Sequence, residues 1–70
     1  MKYQERTRNS YHAVAELLPA HLHGLIYYYG ERDAQGWPET IALDLLLEGC
    51  LEHCVIDAKT LERIHELLEV

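Results

Sequence analysis

The sequence lacks an uninterrupted apolar run of about 18 residues, so we expect no transmembrane helix and no membrane partner. No apolar stretch follows its charged start, Met1 to Arg6, and we therefore expect no secretory signal. Its only two cysteines, Cys50 and Cys54, stand four residues apart, a spacing poorly matched to disulfide geometry within a helix. These absences predict a soluble chain in the reducing cytoplasm.

Positive charge is also scarce, because the chain has 6 lysines and arginines but 12 aspartates and glutamates, which gives a formal net charge of −6. Residues 1–30 hold three bases and two acids, a net of +1, whereas residues 31–70 hold three bases and ten acids, a net of −7. An acidic half repels phosphate, so the sequence disfavours nucleic-acid binding. The acidity suits a basic protein partner, or serves only to keep the chain soluble.

Apolar residues make up 49% of the 70 residues, which argues against a disordered chain and is enough for one small core. Chains of this size often need a metal, a disulfide or a second subunit to be stable. Apolar residues recur at helical spacing, so we predict one all-α domain over residues 1–70, a helical hairpin or bundle completed by dimerisation. The predicted short helices, three or four in number, cover residues 3–18, 19–29, 38–54 and 58–69, with a loop over 30–37.

Prolines, glycines and one aspartate set these boundaries. Pro19 interrupts the first helix and suits the first turn of the second. Residues 25–29 also have the β-branched and aromatic character of a strand, but no partner strand is visible, so a helix is favoured. Gly30 can end the second helix, Pro38 can begin the third, and the Asp57 carboxylate can cap the fourth.

The predicted helix over residues 38–54 has the most informative pattern. Beside one acidic stripe, apolar residues fill roughly 240° of its circumference, whereas an ordinary surface helix needs an apolar arc of only about 100°. We therefore expect this helix to be covered on several sides, either within the chain or by a second chain. The candidate core and dimer-interface residues on this helix and the last one are Leu43, Leu46, Leu47, Cys50, Leu51, Cys54, Leu61, Ile64 and Leu68.

The candidate partner-binding residues form an acidic group and an aromatic group. They are Asp44, Glu48 and Glu52, and Tyr27, Tyr28 and Tyr29. The acids can bind a basic protein or imitate nucleic-acid phosphates, although a merely solvated face has the same pattern. The tyrosines point in three directions around a helix, so we expect at least one, Tyr28, to be exposed and available to an interface.

No motif indicates catalysis, and we predict that the protein is not an enzyme. No serine or cysteine nucleophile stands near a base in a recognisable motif, and no paired carboxylates indicate a catalytic cleft. Cys50 and Cys54 could join histidines around zinc, but structural zinc cysteines favour turns. Because these two lie on an apolar helix face, we expect small buried hydrophobes and predict no metal and no cofactor.

The leading functional prediction is a homodimeric, non-enzymatic interaction or regulatory module that occupies the surface of a partner protein. One alternative is a small dimeric DNA-associated regulator that uses Lys2, Arg6 and Arg8 of the basic first helix. The other alternative is a helical domain stapled by zinc.

Overall fold

A computed structural model describes residues 2–68, with side chains from residue 5, and these residues form four α-helices and no strand. The helices are α1 (Lys2–Glu16), α2 (His23–Ala34), α3 (Thr40–Glu52) and α4 (Ala58–Leu68), with a 3-10 turn, Ala20–Leu22, before α2. The predicted all-α fold is confirmed, and residues 25–29 are helical. Dimerisation stays a prediction. The predicted end of the last helix at residue 69 lies outside the described residues.

α1 and α2 form an antiparallel pair. Arg8 meets Glu31 with an Nε–Oε2 distance of 2.7 Å, and further along α1 the ring of His12 lies 4.6 Å from the ring of Tyr27. Because contacts move forward along α1 and backward along α2, the two helices run in opposite directions. The buried face of α1 consists of Tyr11, Val14 and Ala15, with Leu18 just beyond the helix.

α2 continues through Gly30 to Ala34, so the predicted loop over residues 30–37 is wrong in its first half. Gly30 is buried, and a Cβ added there would lie 2.8 Å from the Cβ of Tyr11 and 3.0 Å from its Cγ. The glycine therefore allows α1 and α2 to approach closely, and it does not end the helix.

The connection between α1 and α2 is organised by Pro19 and His23. α1 ends at Glu16, two residues before the predicted end, and the backbone of Pro19 is extended with ψ of 150°. A 3-10 turn follows, so α2 begins at His23 and not at residue 19. The Nε2–H of His23 donates to the carbonyl of Leu18 at 2.8 Å, which satisfies a carbonyl left without a helical partner.

α2 and α3 each end in a hydrogen-bonded cap of the same type. After α2 the N–H of Trp37 donates back into the last turn at 2.8 Å, past Gly36, which is left-handed with φ of +91°. After α3 the N–H of Val55 donates back at 2.8 Å, past Cys54, which is left-handed with φ of +59°. Cys54 therefore follows the helix and is exposed, so the predicted helix end at residue 54 and the predicted burial of Cys54 are wrong.

Replacing Cys54 with glycine is expected to raise the free energy of unfolding by about 1 kcal/mol, because glycine is left-handed without the steric penalty of a Cβ. Cys54→Ala removes the thiol but keeps the Cβ, so it should change stability by less than about 0.5 kcal/mol. Urea unfolding followed by circular dichroism measures both. Equal stabilisation by the two substitutions would show that the thiol, and not the backbone, is responsible.

Asp57 caps α4 as predicted, because its Oδ1 accepts a hydrogen bond from the N–H of Thr60 at 2.7 Å. This hydrogen bond lowers the pKa of the Asp57 carboxyl. The stabilisation by the cap is therefore present above the carboxyl's unfolded pKa and is lost as the pH falls through the lower folded pKa. α4 itself begins at Ala58, where the sequence predicts it.

The core draws residues from all four helices, and α1 packs against both α2 and α4. It consists of Tyr11, Val14, Ala15, Leu18, Ile26, Leu43, Leu47, Cys50, Ile56 and Ile64, against which Leu46, Leu61 and Leu68 are partly buried. Of the predicted core and interface residues, only Leu51 and Cys54 are exposed. One chain thus covers only part of the wide apolar arc of α3.

Candidate functional site

The acidic stripe predicted on α3 lies on the surface. Asp44, Glu48 and Glu52 repeat every four residues and are exposed, and we call them the acidic ridge. Within the described part of the chain, no ion pair or hydrogen bond involves these three carboxylates. α3 contains no basic residue, so the charge of the ridge is not compensated on its own helix.

An apolar line lies next to the acidic ridge, on the side away from the core. Ile41 and Leu45 lie one turn apart on α3 and are 79% and 63% exposed, and Trp37, which precedes the helix, is 65% exposed. Gly49 continues the line, and a Cβ added there would meet no atom within 4 Å. We call these four residues the outer line. Large exposed apolar side chains in a row differ from the scattered ones of an ordinary surface and indicate contact with another molecule.

The sequence pattern did not single out Trp37, Ile41 and Leu45 as contact residues. The apolar arc of α3 is so wide that periodicity alone cannot separate its core side from its outer side. Leu47 also flanks the acidic stripe and is buried, so a position beside the stripe gave no signal either.

A shallow groove of about 320 Å³ runs along the outer line. Leu45, Leu46 and Gly49 of α3 line it, and so do Leu22 from the 3-10 turn and Val55 after α3. Because the groove shares Leu45 and Gly49 with the outer line, the two features form one continuous apolar surface.

A larger cavity of about 530 Å³, the α3–α4 cleft, opens on the other side of the acidic ridge. Its carboxylates are Asp33, Asp44 and Glu48. The O–H of Tyr11 donates to Oδ2 of Asp33 at 3.0 Å, which holds that carboxylate in place. The apolar part of the lining consists of Leu43, Leu47, Leu61 and Leu68. Asp44 and Glu48 thus belong both to the ridge and to the cleft.

Several arginines of the chain are paired with its own acids. The ion pairs are Arg8–Glu31 at 2.7 Å, Arg32–Glu39 at 3.2 Å and Arg63–Glu66 at 3.6 Å. The hydrogen bond from Arg8 lowers the pKa of Glu31. Arg6 also has an interaction partner, and the side chain of Lys2 lies outside the described residues. The described basic residues of the DNA-regulator alternative are therefore engaged within the chain.

The tyrosines lie on α2, away from the acidic ridge. Tyr28 is 52% exposed, as predicted, and Tyr29 is partly buried against the core. Tyr27 packs on the ring of His12. Neither the groove nor the α3–α4 cleft is lined by Tyr27, Tyr28 or Tyr29.

The two cysteines have different surroundings. Cys50 is buried, and burial raises the pKa of its thiol, which disfavours the reactive thiolate. Cys54 is exposed after the end of α3. Across residues 5–68 no group of three or more histidine, cysteine, aspartate or glutamate side chains is arranged to hold a metal ion. The zinc alternative therefore has no assembled ligand set in that range.

Comparison with known proteins adds no relative, because the chain matches no family model, no curated protein and no solved structure. None of the helices between residues 2 and 68 has the length and apolarity needed to cross a membrane. The chemistry of the α3 surfaces is therefore the best guide to function.

Proposed function

We propose that the protein is a non-enzymatic interaction module that binds a basic, amphipathic segment of another protein through α3. The observation that carries this proposal is the uncovered outer line beside the unpaired carboxylates of the acidic ridge. An amphipathic helix could bury the outer line with its apolar face and place its basic residues against the ridge. Apolar burial then supplies affinity, and charge complementarity selects the partner.

A second copy of the chain is a less favourable occupant of this surface. α3 carries three acids and no base, so pairing two outer lines would bring two acidic ridges together. Like charges brought together at an interface weaken association. The homodimer predicted from the sequence is untested and is not part of this proposal, and the experiments below distinguish it from a basic partner.

Binding of this kind gives the protein a regulatory role. Basic amphipathic segments commonly contact membranes, nucleic acids or regulatory proteins. A segment held on α3 cannot make those contacts at the same time. We therefore propose that the protein inhibits its partner by occupying such a segment.

Two synthetic helical peptides with the same apolar face test this proposal. One peptide carries lysine and arginine on its polar face, and the other carries glutamate. We expect the basic peptide to bind at least about tenfold more tightly at low salt, and this difference to shrink at high salt because exposed charges are screened. Isothermal titration calorimetry measures both affinities. Equal affinities, or no binding of either peptide, would contradict the proposal.

Matched variants identify the surface that binds the peptide. Leu45→Ser should lower the affinity for the basic peptide by about tenfold, because it removes a leucine side chain from the contact. The control is Leu25→Ser, which changes an exposed leucine of α2. Glu48→Lys should also weaken binding, whereas Glu62→Lys makes the same charge change on an exposed residue of α4. Equal losses in the controls would rule out α3 as the contact.

A further inference from the structure

The α3–α4 cleft is not needed to bind the apolar face of the proposed partner, yet it has a distinctive lining. Leucines of α3 and α4 form its apolar part, and three carboxylates line it as well. Asp33 is held by the O–H of Tyr11, while Asp44 and Glu48 stand one helical turn apart and have no partner in the described part of the chain. The cleft thus combines an apolar cavity with three carboxylates and one histidine, His65, so acidic groups outnumber the single imidazole.

A ligand that matches this lining has an aliphatic chain ending in a cation. Lysine and arginine side chains have this form, because their methylene stems pack on apolar surface while their charged ends bind carboxylates. A neutral apolar ligand would forgo the charge interaction, and an anion would be repelled. The arginines with ion pairs in the structure, Arg8, Arg32 and Arg63, contact acids other than those of the cleft.

We infer that the α3–α4 cleft binds a lysine or arginine side chain of the partner whose amphipathic segment covers the outer line. This inference rests on the proposed function. Asp44 and Glu48 border the cleft and also belong to the acidic ridge. A basic segment that lies along the ridge therefore has the cleft within reach of one long side chain, which anchors the segment.

The cleft can be tested with a small probe that does not require the whole partner. n-Pentylamine, which is cationic at neutral pH, imitates a lysine side chain, and n-pentanol is its neutral counterpart. In ¹⁵N–¹H NMR titrations of the full chain, we expect the amine to shift amides of residues 43–48 and 61–68. We expect the alcohol to bind about two- to fivefold more weakly, as suits carboxylates that are partly screened by water. Equal affinities, or shifts elsewhere, would overturn the inference.

Two acids of the same ridge provide a matched pair of variants. Glu48 lines the cleft and Glu52 does not, although both are exposed on α3. Glu48→Gln should lower the affinity for pentylamine by about two- to fivefold, and Glu52→Gln should leave that affinity unchanged. Equal weakening by both variants would overturn the inference, because it would reflect net charge and not the cleft.

One further variant separates this inference from the proposed function. Leu45→Ser alters the outer line, and Leu45 does not line the cleft. The variant should therefore weaken binding of the basic peptide and leave the affinity for pentylamine unchanged. A peptide that binds while pentylamine shows no preference over pentanol would overturn the cleft inference alone. Pentylamine binding at the cleft without peptide binding would support the cleft and contradict the proposed function.

Discussion

Truncating Leu47 to alanine is expected to lower the free energy of unfolding by about 2–5 kcal/mol. Leu47 is 1% exposed and holds α3 against the core, so the substitution removes apolar contacts and leaves a cavity. Domains of this size have a total unfolding free energy of only about 3–5 kcal/mol. A large fraction of the variant should therefore be unfolded at 25 °C, which circular dichroism during urea unfolding would measure.

Leu45→Ala makes the same chemical change two residues away, on the outer line. Because Leu45 is largely exposed, the free energy of unfolding should change by less than about 0.5 kcal/mol. A loss as large as that for Leu47→Ala would contradict an uncovered outer line. A dependence of that loss on protein concentration would identify a second chain as the cover.

Replacing Gly30 with alanine is expected to lower the free energy of unfolding by about 1–3 kcal/mol. The new Cβ would lie 2.8 Å from the Cβ of Tyr11, which is attached directly to the backbone of α1. Rotation of the Tyr11 side chain cannot relieve this contact, so the two helices must move apart. Thermal unfolding of the two proteins under identical conditions measures the difference.

Gly49→Ala is the matched control for Gly30→Ala. Gly49 is also within a helix, but a Cβ there meets no atom within 4 Å. Alanine should therefore raise the free energy of unfolding by about 0.5–1 kcal/mol through its greater helix propensity. If both substitutions stabilise the chain, α1 and α2 do not approach each other closely at Gly30.

Signals confined to a few neighbouring residues predicted much of the fold. The Asp57 cap depends only on a carboxylate three residues before a backbone donor, and the break at Pro19 depends on the missing N–H of proline. The buried face of α1 follows from helical spacing alone. These features were accessible because their causes lie within one or two helical turns.

The end of α2 was not accessible in this way. Glycine suits both a helix terminus and a close approach between helices, and the first alternative is favoured when only neighbouring residues are considered. The second applies to Gly30 because of Tyr11, which lies on another helix. Cys54 illustrates the converse, since a left-handed cap usually contains glycine and a cysteine there gives no local signal.

The candidate site was predicted in part for a similar reason. The acidic ridge follows from a four-residue spacing within α3 and needs no knowledge of its neighbours. The outer line and the α3–α4 cleft depend on which side of a widely apolar helix the rest of the chain covers. That choice is made by the way the other helices pack together, which no local pattern encodes.

The molar mass of the protein in solution tests most directly whether the outer line is free to bind another protein. A single chain has a mass of 8.1 kDa. We predict that light scattering after gel filtration gives this mass at micromolar concentration, and that the basic peptide adds the mass of one peptide. A stable dimer that Leu45→Ser converts to a monomer would show that a second copy covers the outer line, and would contradict a basic partner at this surface.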